Sequence, residues 1–161
     1  MPRRSRLTHL DEAGRARMVD VGAKGETHRV AVASAAIKMS AATLRLVEHG
    51  AAKKGDVLST ARIAAIAALK RTADLIPLCH PVRVVGSDVT LAVDRKLPGV
   101  RVRVEVHAFD RTGVEMEAMV GAAVAALAVY DMVKGVERGV EVLAVRLEEK
   151  RGGRSGMWRR S

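Results

Sequence analysis

The 161-residue chain holds 28 Lys and Arg against 18 Asp and Glu, a formal net charge of +10 at pH 7. Eight of the bases lie in two acid-free ends, residues 1–6 and 150–161, so residues 7–149 carry 20 bases against 18 acids. With aromatic residues at 2%, this distribution argues against a dedicated nucleic-acid binder, which concentrates its bases on a folded face or interleaves them with stacking rings. A hydrophobic fraction of 48% excludes a disordered chain, and the length predicts one domain.

The first predicted elements follow a polar, Gly-punctuated stretch, residues 1–26, which we expect to be a mobile arm. A Val/Ala-rich strand begins at Thr27. Ser40 then serves as the N-cap, and Gly50 as the terminating glycine, of a short amphipathic helix. A second helical stripe covers residues 57–76.

The second half of the chain contains the clearest alternation of apolar and polar residues. Its predicted elements are a strand over 82–93, a turn at 94–99, a strand over 100–109, an Ala/Met/Val-rich helix over 113–138, a strand over 140–147 and a flexible basic tail over 150–161. With the first two helices counted as one connection, the order is β-α-β-β-α-β, the split ferredoxin-like arrangement. We therefore predict an α+β domain over 27–149, with helices packed on one face of an antiparallel sheet.

The apolar run at residues 118–130 is apolar on every side of its helix. At 13 residues it is shorter than the roughly 20 that cross a membrane, so a buried helix is expected. Either the flanking helices enclose it or another subunit does, and the sequence favours a homo-oligomer. The first residues lack the apolar run of a secretory leader, and we expect a cytoplasmic protein with no membrane partner.

Cys79 and His80 lie in the segment LIPLCHP, where two prolines four residues apart restrict the backbone. Such rigidity suits a site, although a connector with a packed cysteine is the alternative. Because Cys79 is the only cysteine, a Cys-rich zinc site cannot be built, and we expect neither a metal nor a cofactor.

Charged pairs mark three further candidate positions. Lys53-Lys54 lie in a loop that would ordinarily be solvated. Glu115 and Glu117 project from one face if the backbone there is extended, and are ordinary helix-dipole partners if it is helical. Asp131 and Lys134 form either a surface ion pair or, beside a dry core, a proton-transfer pair with shifted pKa values.

The tail KRGGRSG carries guanidinium groups on a glycine-rich strip. It lacks the spacing of a nucleotide-binding P-loop and the helix that follows one. Such a strip could close over an anionic ligand, and a disordered tail is the alternative.

Taken together and in order, these segments resemble the cyclic pyranopterin monophosphate synthase family of molybdenum cofactor biosynthesis, the accessory protein C type. The similar stretches are LTHLDEAGRARMVDV, KKGDVLSTARIAAIAALKRTADLIPLCHPV, TGVEMEAMVGAAVAALAVYDMVKG and GGRSG, which span residues 7–156. The resemblance implies a ferredoxin-like subunit in a hexamer, arranged as a trimer of dimers. It implies a lyase that converts 3′,8-cyclo-7,8-dihydro-GTP, received from a radical enzyme, into a pterin with a cyclic phosphate and releases pyrophosphate.

Matched position by position, the resemblance also implies site residues. Substrate contacts fall on Leu78, Cys79, His80, Met116 and Glu117, a further acidic residue on Glu115, the catalytic aspartate on Asp131, and functional lysines on Lys54 and Lys134. The tail departs from the family pattern, because Arg154 stands where Lys is frequent. A guanidinium retains phosphate binding but stays protonated, so it cannot serve as a base.

The implied chemistry requires proton transfers and stabilisation of phosphate charge. Asp131, Lys54 and Lys134 are the candidate acids and bases, with the lysine pKa values expected to be lowered by burial or neighbouring cations. His80, Lys134, Arg154 and Arg29 are available to stabilise the phosphate groups. The rival function is an RNA-binding ferredoxin-like module, which needs exposed aromatic residues on its central strands. The strand at 100–109 offers Phe109 alone, so we expect no nucleic-acid partner.

Overall fold

The computed structural model describes residues 10–11, 13–50 and 55–161. In these residues the chain forms β1 (Thr27–Lys38), α1 (Ala41–Glu48), α2 (Val57–Leu69), α3 (Thr72–Leu75), β2 (Val84–Asp94), β3 (Gly99–Asp110), α4 (Glu115–Val133), β4 (Glu141–Arg151) and β5 (Trp158–Arg159).

The strands form one antiparallel sheet in the order β2-β3-β1-β4-β5. The first four strands have the order of the split β-α-β-β-α-β arrangement, and the helices cover one face of the sheet. The predicted α+β class, antiparallel sheet and one-sided helical layer are therefore confirmed.

The ends of the first helix follow the local chemistry of the sequence. The Ser40 hydroxyl accepts a hydrogen bond from the Thr43 amide at 3.2 Å, and Gly50 adopts φ +62 beyond the last turn. The second predicted helix differs, because it divides into α2 and α3 at Lys70 and Arg71. There the hydroxyl of buried Thr72 donates to the Leu69 carbonyl at 3.0 Å, a side-chain bond that accompanies the break between the two helices.

Small side chains allow α4 to lie close to the sheet. Ala31, Ala33 and Ala35 of β1 are buried beneath the helices, beside the buried valines of β3. At Gly121 of α4, an added Cβ would lie 3.2 Å from a methyl carbon of Val104. The core forms where this apolar surface is buried against the sheet and α2. Such burial stabilises the fold by about 25 cal/mol for each Å² of apolar surface removed from water.

The helix α4 has 19 residues and is long and apolar enough to cross a membrane by length and composition alone. Its Ala118, Ala122, Ala125 and Val129 are fully buried in the core, which is typical of the central helix of a folded domain. It is shorter than the predicted helix over 113–138, since residues 134–136 already form a turn.

The C-terminal residues return to the sheet, whereas the sequence predicted a flexible tail from residue 150. Strand β4 continues to Arg151, four residues beyond the predicted end, and β5 pairs with it through Glu149 and Arg159. The guanidinium of Arg159 donates to the Glu149 carboxylate at 2.6 Å and 2.9 Å. These contacts close the residues between β4 and β5 into a loop beside β1.

Candidate active site

The N-terminal end of α4 brings Glu117 against Cys79 of the proline-bounded segment. The amide of Cys79 donates to the Ile76 carbonyl at 3.0 Å, which turns the thiol toward the helix. The thiol then lies 3.9 Å from Oε1 of Glu117 in hydrogen-bonding geometry.

Glu117 is the buried acid of this site, with a relative exposure of 2%. Its second oxygen, Oε2, has no hydrogen-bond partner among the described residues. Burial, followed by repulsion from Glu115 and Asp110, raises the pKa of Glu117 to about 7. The carboxyl group can therefore gain or lose a proton near neutral pH, as a general acid or base must.

Cys79 is held as a thiol by the same surroundings. Burial raises its pKa, and the carboxylates of Glu117 and Glu115 raise it further because they disfavour a second negative charge nearby. A protonated thiol is a donor and a poor nucleophile. This geometry fits a hydrogen-bonding role for Cys79.

A cleft of about 770 Å³ lies at the start of α4, with Glu115 in its wall. Glu117, two residues further along, lines a separate cavity of about 130 Å³ together with Leu69, Pro81 and Val82. The larger cleft is formed by the residues before β1, the ends of β1 and β4, and the loops that follow β3 and β4. Among the described residues its lining contains one carboxylate, Glu115, and six cationic side chains: Lys24, Arg29, Arg111, Lys150, Arg151 and Arg154. An excess of cations in a concave site favours a ligand with several negative charges.

Two of these cations, Lys150 and Arg29, have contacts with the start of α4 and the end of β3. Lys150 lies 3.2 Å from the Glu115 carboxylate. Arg29 donates from Nε to the Asp110 carbonyl at 3.3 Å and from Nη2 to the Arg111 carbonyl at 3.1 Å. The antiparallel pairing of β1 with β3 makes the latter contacts, because it sets Thr27 opposite Asp110.

Asp131 and Lys134 lie at the other end of α4. Oδ1 of Asp131 is 2.6 Å from Nζ of Lys134, and both side chains are about half exposed. The hydrogen bond that Lys134 donates to Asp131, together with the negative charge of Asp131, raises the pKa of Lys134. The expectation that this lysine pKa is lowered is therefore wrong for Lys134 in this chain, since the neighbouring acid stabilises the ammonium.

The structure thus divides the predicted site residues between two ends of one helix. Near its start, Arg29, Glu115 and Arg154 line the cationic cleft, and Cys79 contacts Glu117. Asp131 is 14 residues beyond Glu117 along α4, roughly 21 Å at 1.5 Å per residue. The half-buried Leu78, His80 and Met116 adjoin Cys79 and Glu117 in the chain, and Lys54 lies outside the described residues.

Two cations of the cleft, Lys24 and Arg111, were not among the predicted site residues, and Lys150 and Arg151 were predicted only as members of the tail strip KRGGRSG. Lys150 and Arg151 precede the glycine pair, and their place in a basic strip was the available signal. Lys24 and Arg111 are isolated bases in polar stretches, and the Arg111 guanidinium reaches the Gly22 carbonyl at 3.1 Å only in the folded chain. In the part of the chain that the structure describes, no group of three or more His, Cys, Asp or Glu is placed to hold a metal ion.

The fold and the site define a ferredoxin-like α+β protein with a cationic cleft at the start of α4 and a buried, readily protonated carboxyl group in the first turn of that helix. The chain belongs to the MoaC family, whose model matches residues 18–153. It is similar to two curated proteins from Cereibacter sphaeroides, of strains KD131 and ATCC 17023, each named cyclic pyranopterin monophosphate synthase. Each is 55% identical over 157 residues, covering 98% of this chain and 99% of the relative.

Proposed function

We propose that this chain is a cyclic pyranopterin monophosphate synthase of molybdenum cofactor biosynthesis. It would convert 3′,8-cyclo-7,8-dihydro-GTP into cyclic pyranopterin monophosphate with release of pyrophosphate, as a phosphorus–oxygen lyase. The observation that carries the proposal is the cleft of six cations and one carboxylate, Glu115, whose charge helps to raise the pKa of buried Glu117 to about 7. A triphosphate beside a heterocycle needs both features, the first for charge and the second for protons.

The cleft cations would bind the triphosphate and stabilise its departing part. In the phosphate step, a sugar hydroxyl oxygen bonds to the α-phosphorus while the bond from that phosphorus to the β-phosphate oxygen breaks. The hydroxyl proton passes to a base, and pyrophosphate leaves with the electron pair of the broken bond. Arg29 and Arg154 carry guanidinium groups, which stay protonated in proteins, so they can neutralise the charge that develops on the leaving oxygens; Lys150 lies in the same cleft wall.

Glu117 and Cys79 would act at the heterocycle of the substrate, Glu117 in proton transfer and Cys79 in hydrogen bonding. A carboxyl group with a pKa of about 7 can donate or accept a proton at a ring nitrogen with little cost in either direction at neutral pH. Cys79, kept protonated, contacts the same carboxyl group and would orient it. The raised pKa of Lys134 makes it a cation or proton donor, with Asp131 as its carboxylate partner.

A single chain separates these groups by roughly 21 Å along α4, which a nucleotide-sized ligand does not comfortably span. We therefore propose a homo-oligomer, a hexamer arranged as a trimer of dimers, in which Asp131 and Lys134 of one subunit approach Glu117 of another. Two large apolar side chains on the helical layer support an additional contact surface, because Ile63 and Leu127 are 68% and 59% exposed.

The proposed setting follows from the substrate. A 3′,8-cyclised GTP is the product of a radical reaction, so the radical enzyme would deliver it. We propose that both enzymes lie in the cytoplasm. The residues named here work by charge and proton transfer, and the proposed reaction transfers no electrons, so we propose no resident cofactor or metal.

The direct test is incubation of the purified protein with 3′,8-cyclo-7,8-dihydro-GTP. The expected result is a pyranopterin with a cyclic phosphate, together with one pyrophosphate per turnover, detected by mass spectrometry and a coupled phosphate assay. The double variant Glu117→Gln, Asp131→Asn is the control for uncatalysed rearrangement. A wild-type rate equal to that control would contradict the proposed function.

The rival RNA-binding function has two exposed aromatic rings in its favour, Phe109 and Trp158. Each has an arginine over its face, Arg83 and Arg160, at 6.0 Å and 5.8 Å from the ring centroid. Ligand-dependent melting separates the two functions. Pyrophosphate or GTP should raise the Tm, whereas single-stranded RNA at the same concentration should not. The reverse result would favour RNA binding.

A further inference from the structure

Two consecutive glycines, Gly152 and Gly153, follow β4 in backbone conformations that side chains rarely adopt. Their φ angles are +96 and +73. A Cβ added at Gly152 would overlap the carbonyl oxygen of His28 and lie 3.3 Å from its carbon. A Cβ added at Gly153 would overlap Nη1 of Arg29 and lie 2.7 Å from its Cζ. The turn therefore packs backbone directly onto β1 and, at Gly153, onto a guanidinium.

Arg29 is held from another direction as well. Its Nε and Nη2 donate to the carbonyls of Asp110 and Arg111, at the end of β3. The guanidinium thus lies between two carbonyls at the end of β3 and the bare α-carbon of Gly153. Arg29, Gly153 and Arg154 all line the cationic cleft, so this contact is part of its wall.

A long arginine side chain samples many rotamers when it is unconstrained, and it loses that freedom when it binds an anion. A guanidinium that is already fixed loses less, so it binds the same anion more tightly. The two carbonyl contacts are near the long end of the hydrogen-bond range, and they alone would hold the group loosely. The contact with Gly153 removes the space into which the group could move.

We propose that Gly153 is a positioning residue that fixes the guanidinium of Arg29 in the cleft for contact with the phosphate groups of the substrate. This inference rests on the proposed function and deepens it. Glycine is required at position 153 because any Cβ occupies the volume of the Arg29 guanidinium. The obstructing atom belongs to the far end of a flexible side chain, so a larger residue at position 153 would displace Arg29 and leave the sheet in place.

The test compares Gly153→Ala with a matched control, Gly156→Ala, in the same loop. Gly156 has φ +63, and apart from its own residue and its two chain neighbours no described atom lies within 4 Å of the position of its Cβ. Both substitutions impose left-handed backbone strain, and only the first meets Arg29. The dissociation constant for inorganic pyrophosphate, measured by calorimetry on the full-length protein, should rise about tenfold or more in Gly153→Ala, as loss of one charge-assisted hydrogen bond predicts. It should change less than about threefold in Gly156→Ala.

A double-substitution cycle ties the effect to Arg29. In an Arg29→Ala background, Gly153→Ala should weaken pyrophosphate binding no more than Gly156→Ala does, because the group it displaces is gone. Thermal unfolding of each variant checks the fold. If Gly153→Ala does not fold, Gly153→Asn replaces it, since asparagine tolerates a positive φ and still carries a Cβ.

Equal weakening by Gly153→Ala and Gly156→Ala would overturn the inference, and so would an undiminished effect in the Arg29→Ala background. A wild-type protein that fails to bind pyrophosphate would overturn it as well. The substrate assay distinguishes these results from failure of the proposed function. If the protein turns over the substrate but the effects of the Gly153 and Arg29 substitutions on pyrophosphate binding simply add, only the role of Gly153 is refuted. If the two effects depend on each other but there is no turnover, only the proposed reaction is refuted.

Discussion

At the scale of single residues, Glu117 combines two features that rarely occur together in a carboxylate. It lies in the first turn of α4, where a negative charge is normally favourable, and it is almost completely buried. Burial has the larger effect, because the pKa rises to about 7 despite the helix terminus. Folding therefore stabilises the protonated form.

This raised pKa predicts a pH-dependent stability. The unfolded-state pKa is near 4.5, so the stability that Glu117 contributes is fully present below about pH 4.5 and is lost as the pH rises through about 7. Between pH 5 and pH 8 the free energy of unfolding of the wild type should fall by about 2 kcal/mol relative to Glu117→Gln, since one pKa unit corresponds to about 1.4 kcal/mol. Urea unfolding of both proteins at the two pH values measures this. Parallel pH dependences would show that Glu117 ionises normally.

Asp131 provides the second residue-scale prediction. Asp131→Asn should lower kcat by about 10²–10⁴-fold, because the side chain keeps its shape but loses its charge and basicity. The fold should be retained, since an exposed ion pair such as that with Lys134 contributes little to stability. Asp88→Asn, at an exposed position of β2, is the matched control and should leave kcat unchanged. Activity of Asp131→Asn above about a tenth of wild type would remove Asp131 from the catalytic residues.

At the scale of elements, the packing of α2 and α4 over the sheet supports the site. Both ends of α4 carry candidate site residues, and its middle is held by buried alanines and by Gly121 against Val104. Leu69, at the end of α2, lies beside Gly121 and is 1% exposed. Truncation of Leu69 would loosen its contact with Gly121. Glu117 lies one turn before Gly121 in α4, so its position depends on this contact.

Leu69→Ala should therefore lower the free energy of unfolding by about 2–5 kcal/mol, the cost of a buried Leu-to-Ala truncation with its cavity. Leu75→Ala deletes the same atoms from a side chain that is 56% exposed, so it should change stability by less than about 0.5 kcal/mol. Chemical denaturation of both variants gives the comparison. Similar losses in the two would mean that Leu69 is not part of a closely packed core.

At the scale of the whole molecule, basic side chains from separate parts of the chain line the cationic cleft. The acid-free C-terminal stretch supplies Lys150, Arg151 and Arg154 to the cleft wall. The residues before β1 and the loop after β3 supply Lys24 and Arg111. Residues distant in sequence thus converge on one cleft, while Asp131 lies at the far end of α4.

The proposed sharing of the site between subunits can be tested by complementation. Inactive Glu117→Ala and Asp131→Asn subunits are dissociated, mixed and reassembled. In each mixed dimer with shared sites, one of the two sites contains neither substitution, so activity should recover toward half of the wild-type value per mixed dimer. Reassembled single variants are the controls. Mixed oligomers confirmed by native mass spectrometry but without activity would mean that each subunit builds its site alone.

The amino-acid sequence by itself determined the features that depend on neighbouring residues. These features are the alternation along β2 and β3, the Ser40 cap and the Gly50 terminus. Each depends on residues only a few positions apart, so it can be predicted without knowledge of the fold. The similarity of LCHP, GVEMEA and YDMVK to one family was also legible, and the family model confirms it. The break between α2 and α3 was missed, because a hydroxyl bond to a nearby carbonyl leaves no periodic signal.

Tertiary structure alone decided which charges meet. Arg29 reaches the Asp110 carbonyl across 81 positions of sequence, and Cys79 reaches Glu117 across 38. Such contacts depend on strand register and helix packing, which no local pattern encodes. Burial decided the pKa of Glu117 in the same way. A carboxylate in a first helical turn is ordinary in sequence and becomes an acid of neutral pKa because the surrounding fold removes water from it.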